Sequence, residues 1–392
     1  MLMMRMRAFK PMRVFTALTF GGVAVIVLKL LVLQFVRDHR SKDAIHYTRP
    51  GRQGNTTSEE DMSRRVTLMS QACATRWSYN LGSQLYSVSI YSDENQNLMY
   101  CPVPKAGCTF WGRIFSFLTR PDDMSQMKIH SPFEIDRMKI HFGPLQPVGQ
   151  PDWNLAKNEI KEHTVKFFFA RDPYSRLWSV YLDKYYLPDF WHRKELSNHI
   201  CLLNISFQKF MAFAITSHDG HVLPVAVVCN PCEFRPQYIG KMETFFRDSK
   251  FILDKGRMGS LLDNYSFKNY TETELKSIIS NYFWYYNMRQ LSQCFTEKDL
   301  CRRMWRVFQI NGHIRSTLEF PENLPIYNEE TFLGHVLQTV RSQGISRAEA
   351  ATQRRKYLAN AYKTVSRAVI KAIQERFKPD FDIFGYDTRP PK

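Results

Sequence analysis

The sequence predicts an α/β domain with a central, mostly parallel sheet flanked by helices, preceded by one transmembrane helix. Two segments, 98–118 and 165–181, each read as a short apolar strand, a tight turn and a helix start. That order is the unit from which parallel sheets are built. Ahead of them lies a long apolar run, Val14 to Val36, interrupted by Lys29 and Gln34.

The apolar run comes first. Its 23 residues are long enough to cross a hydrocarbon core with modest tilt. Arg5, Arg7, Lys10 and Arg13 precede it, and no small-residue cleavage site of a signal peptide follows. Arg37, Arg40 and Lys42 lie beyond it, so flanking charge alone does not set the orientation. Lys29 is expected to snorkel to the interface along its own stem. The reading is an uncleaved signal-anchor: a cytoplasmic tail at 1–13, the span at 14–36, a polar stem at 37–70 and a lumenal domain at 71–392. Sequons at Asn55, Asn204, Asn264 and Asn269, with eight cysteines, fit an oxidising secretory lumen. Spacing leaves the cysteine pairing open. Cys229-Asn-Pro-Cys232 has zinc-ribbon spacing but no second CxxC, so no structural zinc is expected.

Charge narrows the partners. Lys and Arg number 54 against 37 Asp and Glu, a formal excess of +17, of which the first fifty residues supply +7. The remaining +10 favours an anionic partner or a basic solvated surface. Zinc-finger spacing and RNA-binding fingerprints are missing, so no nucleic acid is expected; a membrane surface, an anionic nucleotide or an acidic glycan fits.

In the first chemical segment, Leu98 to Val103 is a strand candidate, Pro104 to Thr109 a turn, and Cys108 to Leu118 a helix. Free backbone N–H groups at such a helix start cradle phosphate. Gly107 admits a close backbone approach, Thr109 adds a hydroxyl and Lys105 a mobile charge. A Walker loop is excluded, because GxxxxGK[ST] is absent and the lysine precedes the glycine. Taken alone, an exposed Lys-Ala-Gly turn is the commoner explanation of the segment.

In the second, Val165 to Ala170 is a buried strand, Asp172 caps the following helix, and Pro173 occupies its first turn. Arg171 then stands at the strand's carboxyl end, where open α/β sheets place ligands. Ser179 lies two turns on, and an arginine with a nearby hydroxyl holds a phosphate. A surface Arg171–Asp172 pair is the plainer alternative. Further along, Ser346 and Glu349 form a capping box, opening a helix whose apolar stripe runs from Leu358 to Phe377 and which Pro379 is expected to end.

Taken together, Val103-Pro-Lys-Ala-Gly-Cys-Thr-Phe-Trp-Gly-Arg113 and Ala170-Arg-Asp-Pro-Tyr-Ser-Arg-Leu-Trp-Ser-Val-Tyr181 resemble the phosphosulfate loop and 3′-phosphate site of membrane-bound Golgi carbohydrate sulfotransferases. The resemblance is to the family of the HNK-1, chondroitin and dermatan 4-O-sulfotransferases. His221 to Cys232, Tyr238 to Thr244 and Asp380 to Tyr386 continue it in order. Phe110, Gly112 and Val222 depart from the family, replacing an Asn, a basic residue and a Trp.

The resemblance implies a P-loop-like fold binding 3′-phosphoadenosine 5′-phosphosulfate (PAPS), without an obligatory metal, and transfer of its sulfuryl group to a hydroxyl of a glycan, expected to be acidic. The donor would be held by Pro104, Lys105, Ala106, Gly107, Cys108, Thr109 and Phe110, and by Arg171, Asp172, Pro173, Tyr174, Ser175, Arg176, Leu177, Trp178 and Ser179. Lys105 would stabilise the leaving oxygen and His221 would serve as base or else only shape the acceptor groove, with His218 and His141 as weaker alternatives; Glu243 would fix a local turn or ion pair, its alternative being a catalytic role. Two rivals stand beside this reading. Asp380-Phe-Asp382 is a DxD triplet of the kind manganese-dependent glycosyltransferases use, and Phe110 with Gly112 would suit a glycan-binding relative without activity.

Overall fold

The computed structural model describes residues 57–77, 89–93, 95, 97–150, 160–191, 205–263 and 267–392. The tail, the span at 14–36 and most of the stem lie outside the described residues, as do Asn55, Asn204 and Asn264. Among the described residues no helix is long and apolar enough to cross a membrane.

One five-stranded sheet positions the site, in the order β3-β1-β2-β4-β5. Its strands are β1 Ile90–Ser92, β2 Leu98–Tyr100, β3 Gly149–Gln150, β4 Val165–Ala170 and β5 Tyr238–Lys241. The pairs β2–β4 and β4–β5 are parallel, while β1 is antiparallel to both β2 and β3. The sheet is therefore mixed rather than mostly parallel: a parallel core with an antiparallel edge. Short chain segments explain the edge, since β1 reaches β2 through a turn, whereas parallel strands need a crossover. Strand β4 is central, and Phe167, Phe168, Phe169 and Ala170 are fully buried, as expected for a strand covered on both faces.

The helix Cys108–Thr119 lies against this sheet through Trp111, whose ring centroid is 4.4 Å from that of Phe167. A second apolar cluster is helical, joining Pro173–Val180, Phe207–Thr216, Phe267–Met288 and Glu297–Ile310. The disulfide Cys101–Cys229 ties the end of β2 to the helix Val225–Cys229, and Cys73–Cys232 ties the residue that follows the helix Ser58–Ala72 to the helix Pro231–Phe234. Both cysteines of the CxxC are thus consumed in disulfides.

Two sequence boundaries are corrected. Residues 58–70, assigned to the stem, belong to the helix Ser58–Ala72 with its Thr57–Glu60 capping box, and the compact unit begins at Thr57. Its polar composition hides a narrow buried stripe of Met62, Arg65 and Met69. Arg65 donates to the Ile239 carbonyl at 2.9 Å, to Asp248 at 2.6 Å and to Thr244 Oγ1 at 3.0 Å. At the other end, the Ser346–Glu349 capping box opens Arg347–Lys363 as expected, but that helix stops early. Ser366 caps a separate helix, Arg367–Arg376, and Pro379 begins a third, Lys378–Phe384, instead of ending one. Proline needs no N–H partner in a first turn, and a serine hydroxyl offers the backbone a new start.

Arg65→Ala leaves the buried Asp248 carboxylate short of its closest cation. It is expected to lower stability by roughly 3 kcal/mol, read as a fall in the denaturation midpoint, and a change below a few tenths would show the N-terminal helix to be dispensable.

Candidate functional site

The loop after β2 turns by placing two residues in the left-handed region, Lys105 at φ 65° and Gly107 at φ 84°. Gly107 is required there twice over: a Cβ would also lie 2.4 Å from the Phe245 ring. The turn delivers the N-terminus of the helix Cys108–Thr119, whose first amides have no partner within the helix. A cavity of about 1170 Å³ opens over it, with Lys105, Gly107, Thr109, Arg171, Ser179 and His221 in its wall.

The second segment folds as its residues dictate. Asp172 accepts from the Ser175 amide at 2.8 Å, Pro173 fills the first turn, and Arg171 emerges at the end of β4. Arg171 Nη1 donates to the Lys105 carbonyl at 3.0 Å, joining the two motifs directly. Burial pushes the Arg171 pKa down and that of Asp172 up.

Pro104, Cys108 and Phe110 also line the cavity. Other residues assigned to donor binding do not. Ala106, Pro173 and Leu177 are buried in the core, and Asp172 and Ser175 serve the helix cap. Trp178 stacks on Tyr181 with centroids 5.5 Å apart, and Tyr174 donates to the Thr388 carbonyl at 2.6 Å. Arg176 is fully buried and donates to three carbonyls: Pro104 at 2.9 Å, Leu223 at 2.5 Å and Gly220 at 3.2 Å. The motif's spacing puts Arg171 and Ser179 toward the cavity and sends the residues between them inward or to the cap.

A carboxylate that sequence reasoning missed sits at the centre of the site. Asp183 receives Lys105 Nζ at 2.9 Å, the Tyr282 hydroxyl at 2.8 Å, and Arg137 and Lys184 at 3.3 Å each. Lys184 also pairs with Asp189. Burial alone would raise the Asp183 pKa, but Lys105, Lys184 and Arg137 together hold it well below the usual range. Burial lowers the Lys105 pKa, with Asp183 opposing the shift. A signal did exist for Asp183: it follows Ser179 by four residues, one helical turn further on the same face. Arg137 had none, because it arrives on the separate helix Arg137–His141.

His221 Nδ1 donates to Asp219 Oδ1 at 2.8 Å, which leaves Nε2 as the acceptor of the neutral ring. Burial lowers its pKa, opposed by Asp219. His141 Nε2 lies 3.0 Å from Thr109 Oγ1, and burial with Arg137 and Lys184 drives its pKa down to about 3. His218 is exposed and outside the cavity wall. Glu243 is in the wall and accepts from the Tyr386 hydroxyl at 3.3 Å.

The DxD triplet is occupied by folding. Asp380 is buried and accepts from the amides of Val225 and Ala226, both at 2.8 Å, while Asp382 pairs with Lys378. The two loop departures are packing features. Phe110 is buried against Phe133 and Phe245, and a Cβ on Gly112 would meet Ile140 at 2.9 Å. Gly112 thus admits the helix that carries Arg137 and His141.

Arg176→Met removes three donors from buried carbonyls and is expected to cost about 3 kcal/mol or more, with Arg176→Lys recovering only part; equal stability of wild type and Arg176→Met would refute the tie. The histidines set a pH dependence as well. His141 and His313, with pKa values of about 3 and 4, stay neutral when folded, whereas unfolded histidine protonates below about 6.5. Stability is therefore full above that value and falls as the pH drops, by up to about 1.4 kcal/mol per unit for each histidine. Denaturant titrations between about pH 6 and 4 should show a shallower slope for His141→Gln than for wild type.

Comparison with known proteins agrees with this geometry. The chain is 27% identical to human carbohydrate sulfotransferase 9 over 219 residues, 50% of this chain and 48% of that one. It is 27% identical to mouse carbohydrate sulfotransferase 11 over 204 residues, 46% of this chain and 56% of that one. With mouse carbohydrate sulfotransferase 8 it shares 25% over 215 residues, 48% of this chain and 49% of that one. The chain spans about half the length of the relatives it matches. No solved structure matches it. Residues 89–304, more than half of the chain and the stretch that carries the loop, Arg171, Asp183 and His221, match the sulfotransferase family, and the chain belongs to that family.

Proposed function

We propose that the protein is a PAPS-dependent carbohydrate sulfotransferase of the Golgi lumen, anchored by the helix at 14–36. The observation that carries this is the direct bond from Arg171 to the Lys105 carbonyl, which joins the two motifs in the wall of one cavity. The two disulfides accord with an oxidising compartment.

The residues present fit the donor. Left-handed Lys105 and Gly107 aim free helix amides into the cavity, a cradle that a side chain at 107 would disturb. Arg171 and Ser179 would hold the 3′-phosphate, and Thr109 and the amides the 5′ end. PAPS supplies an activated sulfuryl group, leaving as adenosine 3′,5′-bisphosphate once the sulfur–oxygen bond to phosphate breaks. Lys105 neutralises charge growing on that oxygen, exchanging part of its bond to Asp183 for the ligand. His221 Nε2 accepts the proton of the attacking sugar hydroxyl as its oxygen bonds to sulfur, and Asp219 steadies the imidazolium formed. His141 is a poor base: burial, helped by the surrounding cations, keeps it from holding a proton. Positioning and electrostatics do most of the work, as in other group transfers of this kind.

The test is transfer of labelled sulfate from PAPS by the full-length protein over a panel of desulfated glycans, with and without chelator. Lys105→Ala should lower kcat by about a hundredfold or more, and Arg171→Ala should weaken adenosine 3′,5′-bisphosphate binding by about tenfold or more. Absence of bisphosphate binding by the folded wild type would sink the proposal, and chelator-sensitive transfer would remove its metal independence.

A further inference from the structure

The stretch Cys229-Asn230-Pro231-Cys232 carries two disulfides and sends them to different parts of the chain. Cys229 is bonded to Cys101 and Cys232 to Cys73. Their surroundings differ: Cys101 is 1% exposed and Cys229 2%, whereas Cys73 and Cys232 both reach solvent in part. Accessible bridges are the ones an external thiol reduces first. The CxxC therefore sets an accessible bridge beside a sealed one, with only Asn230 and Pro231 between them.

The sealed bridge bears on the site. Cys101 follows β2 and stands just ahead of Pro104 and the left-handed turn at Lys105 and Gly107. Cys229 ends the helix Val225–Cys229, whose first amides are capped by Asp380. Arg176 joins the same two segments by donating to the Pro104 and Leu223 carbonyls. Cys101–Cys229 is thus the covalent member of a double tie, and its loss leaves the loop to the hydrogen bonds of Arg176.

The spacer between the two bridges is under tension. Asn230 has φ 34° and ψ 77°, off the centre of the small left-handed basin. It is 7% exposed, and its Oδ1 has no hydrogen-bond partner among the described residues. Such a backbone and a buried unpaired oxygen both cost free energy, which the surrounding structure has to offset. A bond between Cys229 and Cys232 would let this turn rearrange, and the short spacer gives a Cys232 thiol a high effective concentration beside Cys229.

We propose that the CxxC is a thiol–disulfide relay through which a dithiol reductant loosens the loop of Lys105. The dithiol gives two electrons to Cys73–Cys232 and is itself oxidised to a disulfide, leaving Cys73 and Cys232 as thiols. The Cys232 thiolate then attacks Cys229 Sγ. The Cys229–Cys232 bond forms, the Cys101–Cys229 bond breaks, and Cys101 leaves with the electron pair and takes up the proton that Cys232 lost. The exchange itself is independent of the transferase reading; its value as regulation, a donor loop slackened by reduction, rests on that reading.

The experiment treats the full-length protein with graded dithiothreitol, quenches with N-ethylmaleimide, and maps labels and bonds by peptide mass spectrometry. Cys108 and Cys301 are thiols from the outset. The first new species should carry label on Cys73 and Cys101 and hold a Cys229–Cys232 bond. Its loop amides, from Lys105 to Thr109, should exchange hydrogen about tenfold faster than those of untreated protein. Cys73→Ser, which leaves Cys232 a thiol, should reach the same bond without reductant and label at Cys101. The double variant Cys73→Ser with Cys232→Ser should keep Cys101–Cys229 and wild-type loop exchange, which separates the relay from simple loss of the outer bridge. Label on Cys73 and Cys232 with Cys101–Cys229 intact, a Cys101–Cys108 bond in place of Cys229–Cys232, or unchanged loop exchange overturns the proposal. Adenosine 3′,5′-bisphosphate should bind the relayed species about tenfold more weakly than the untreated protein. If it does not bind the untreated protein, the transferase reading fails, and the bond map still decides the relay.

Discussion

The guanidinium of Arg176, wholly removed from solvent, donates to the carbonyls of Pro104, Gly220 and Leu223. Those carbonyls belong to the residue before Lys105 and to the segment flanking His221, so one side chain fixes both ends of the proposed chemistry. Burial lowers its pKa to about 10, with Asp380 opposing the shift. Asp380 in turn caps the segment that follows His221, and burial raises its own pKa to about 6. A buried charge is tolerated only when its hydrogen bonds are satisfied, so this arrangement has little freedom to rearrange.

Around this frame the cavity stores charge in advance. Lys105, Arg137 and Lys184 converge on Asp183 at a site shielded from water, where like charges would otherwise repel strongly. The carboxylate lets three cations be assembled before any anion arrives. In the proposed reaction an anionic donor would meet cations already positioned, and reorganisation would amount to Lys105 shifting its bond from Asp183 to the donor.

Packing explains why the helix Arg137–His141 can reach the cavity at all. A side chain at residue 112 would clash with Ile140, so the glycine that looks like a lost cation on the loop helix is the contact that brings Arg137 close. Phe110, likewise, seals the aromatic cluster under the loop against Phe133 and Phe245. Both positions read as weakened ligand binding in one dimension and as close packing in three.

Local chemistry was legible in the sequence. Strand β4 spans the residues its apolar run marked, Asp172 and Pro173 start the next helix, and Gly107 takes the positive φ that its turn demanded. These features depend on neighbours within a few residues, where propensity and sterics act. Tertiary structure alone decided that Arg171 would bond the Lys105 loop, that Arg176 would turn inward, and that Arg137 would face Asp183 across 46 residues. It also turned the polar Ser58–Ala72 stretch into part of the domain and the DxD triplet into a helix cap. In each case the deciding force is the cost of burying an unpaired charge or donor, which only the assembled chain can meet.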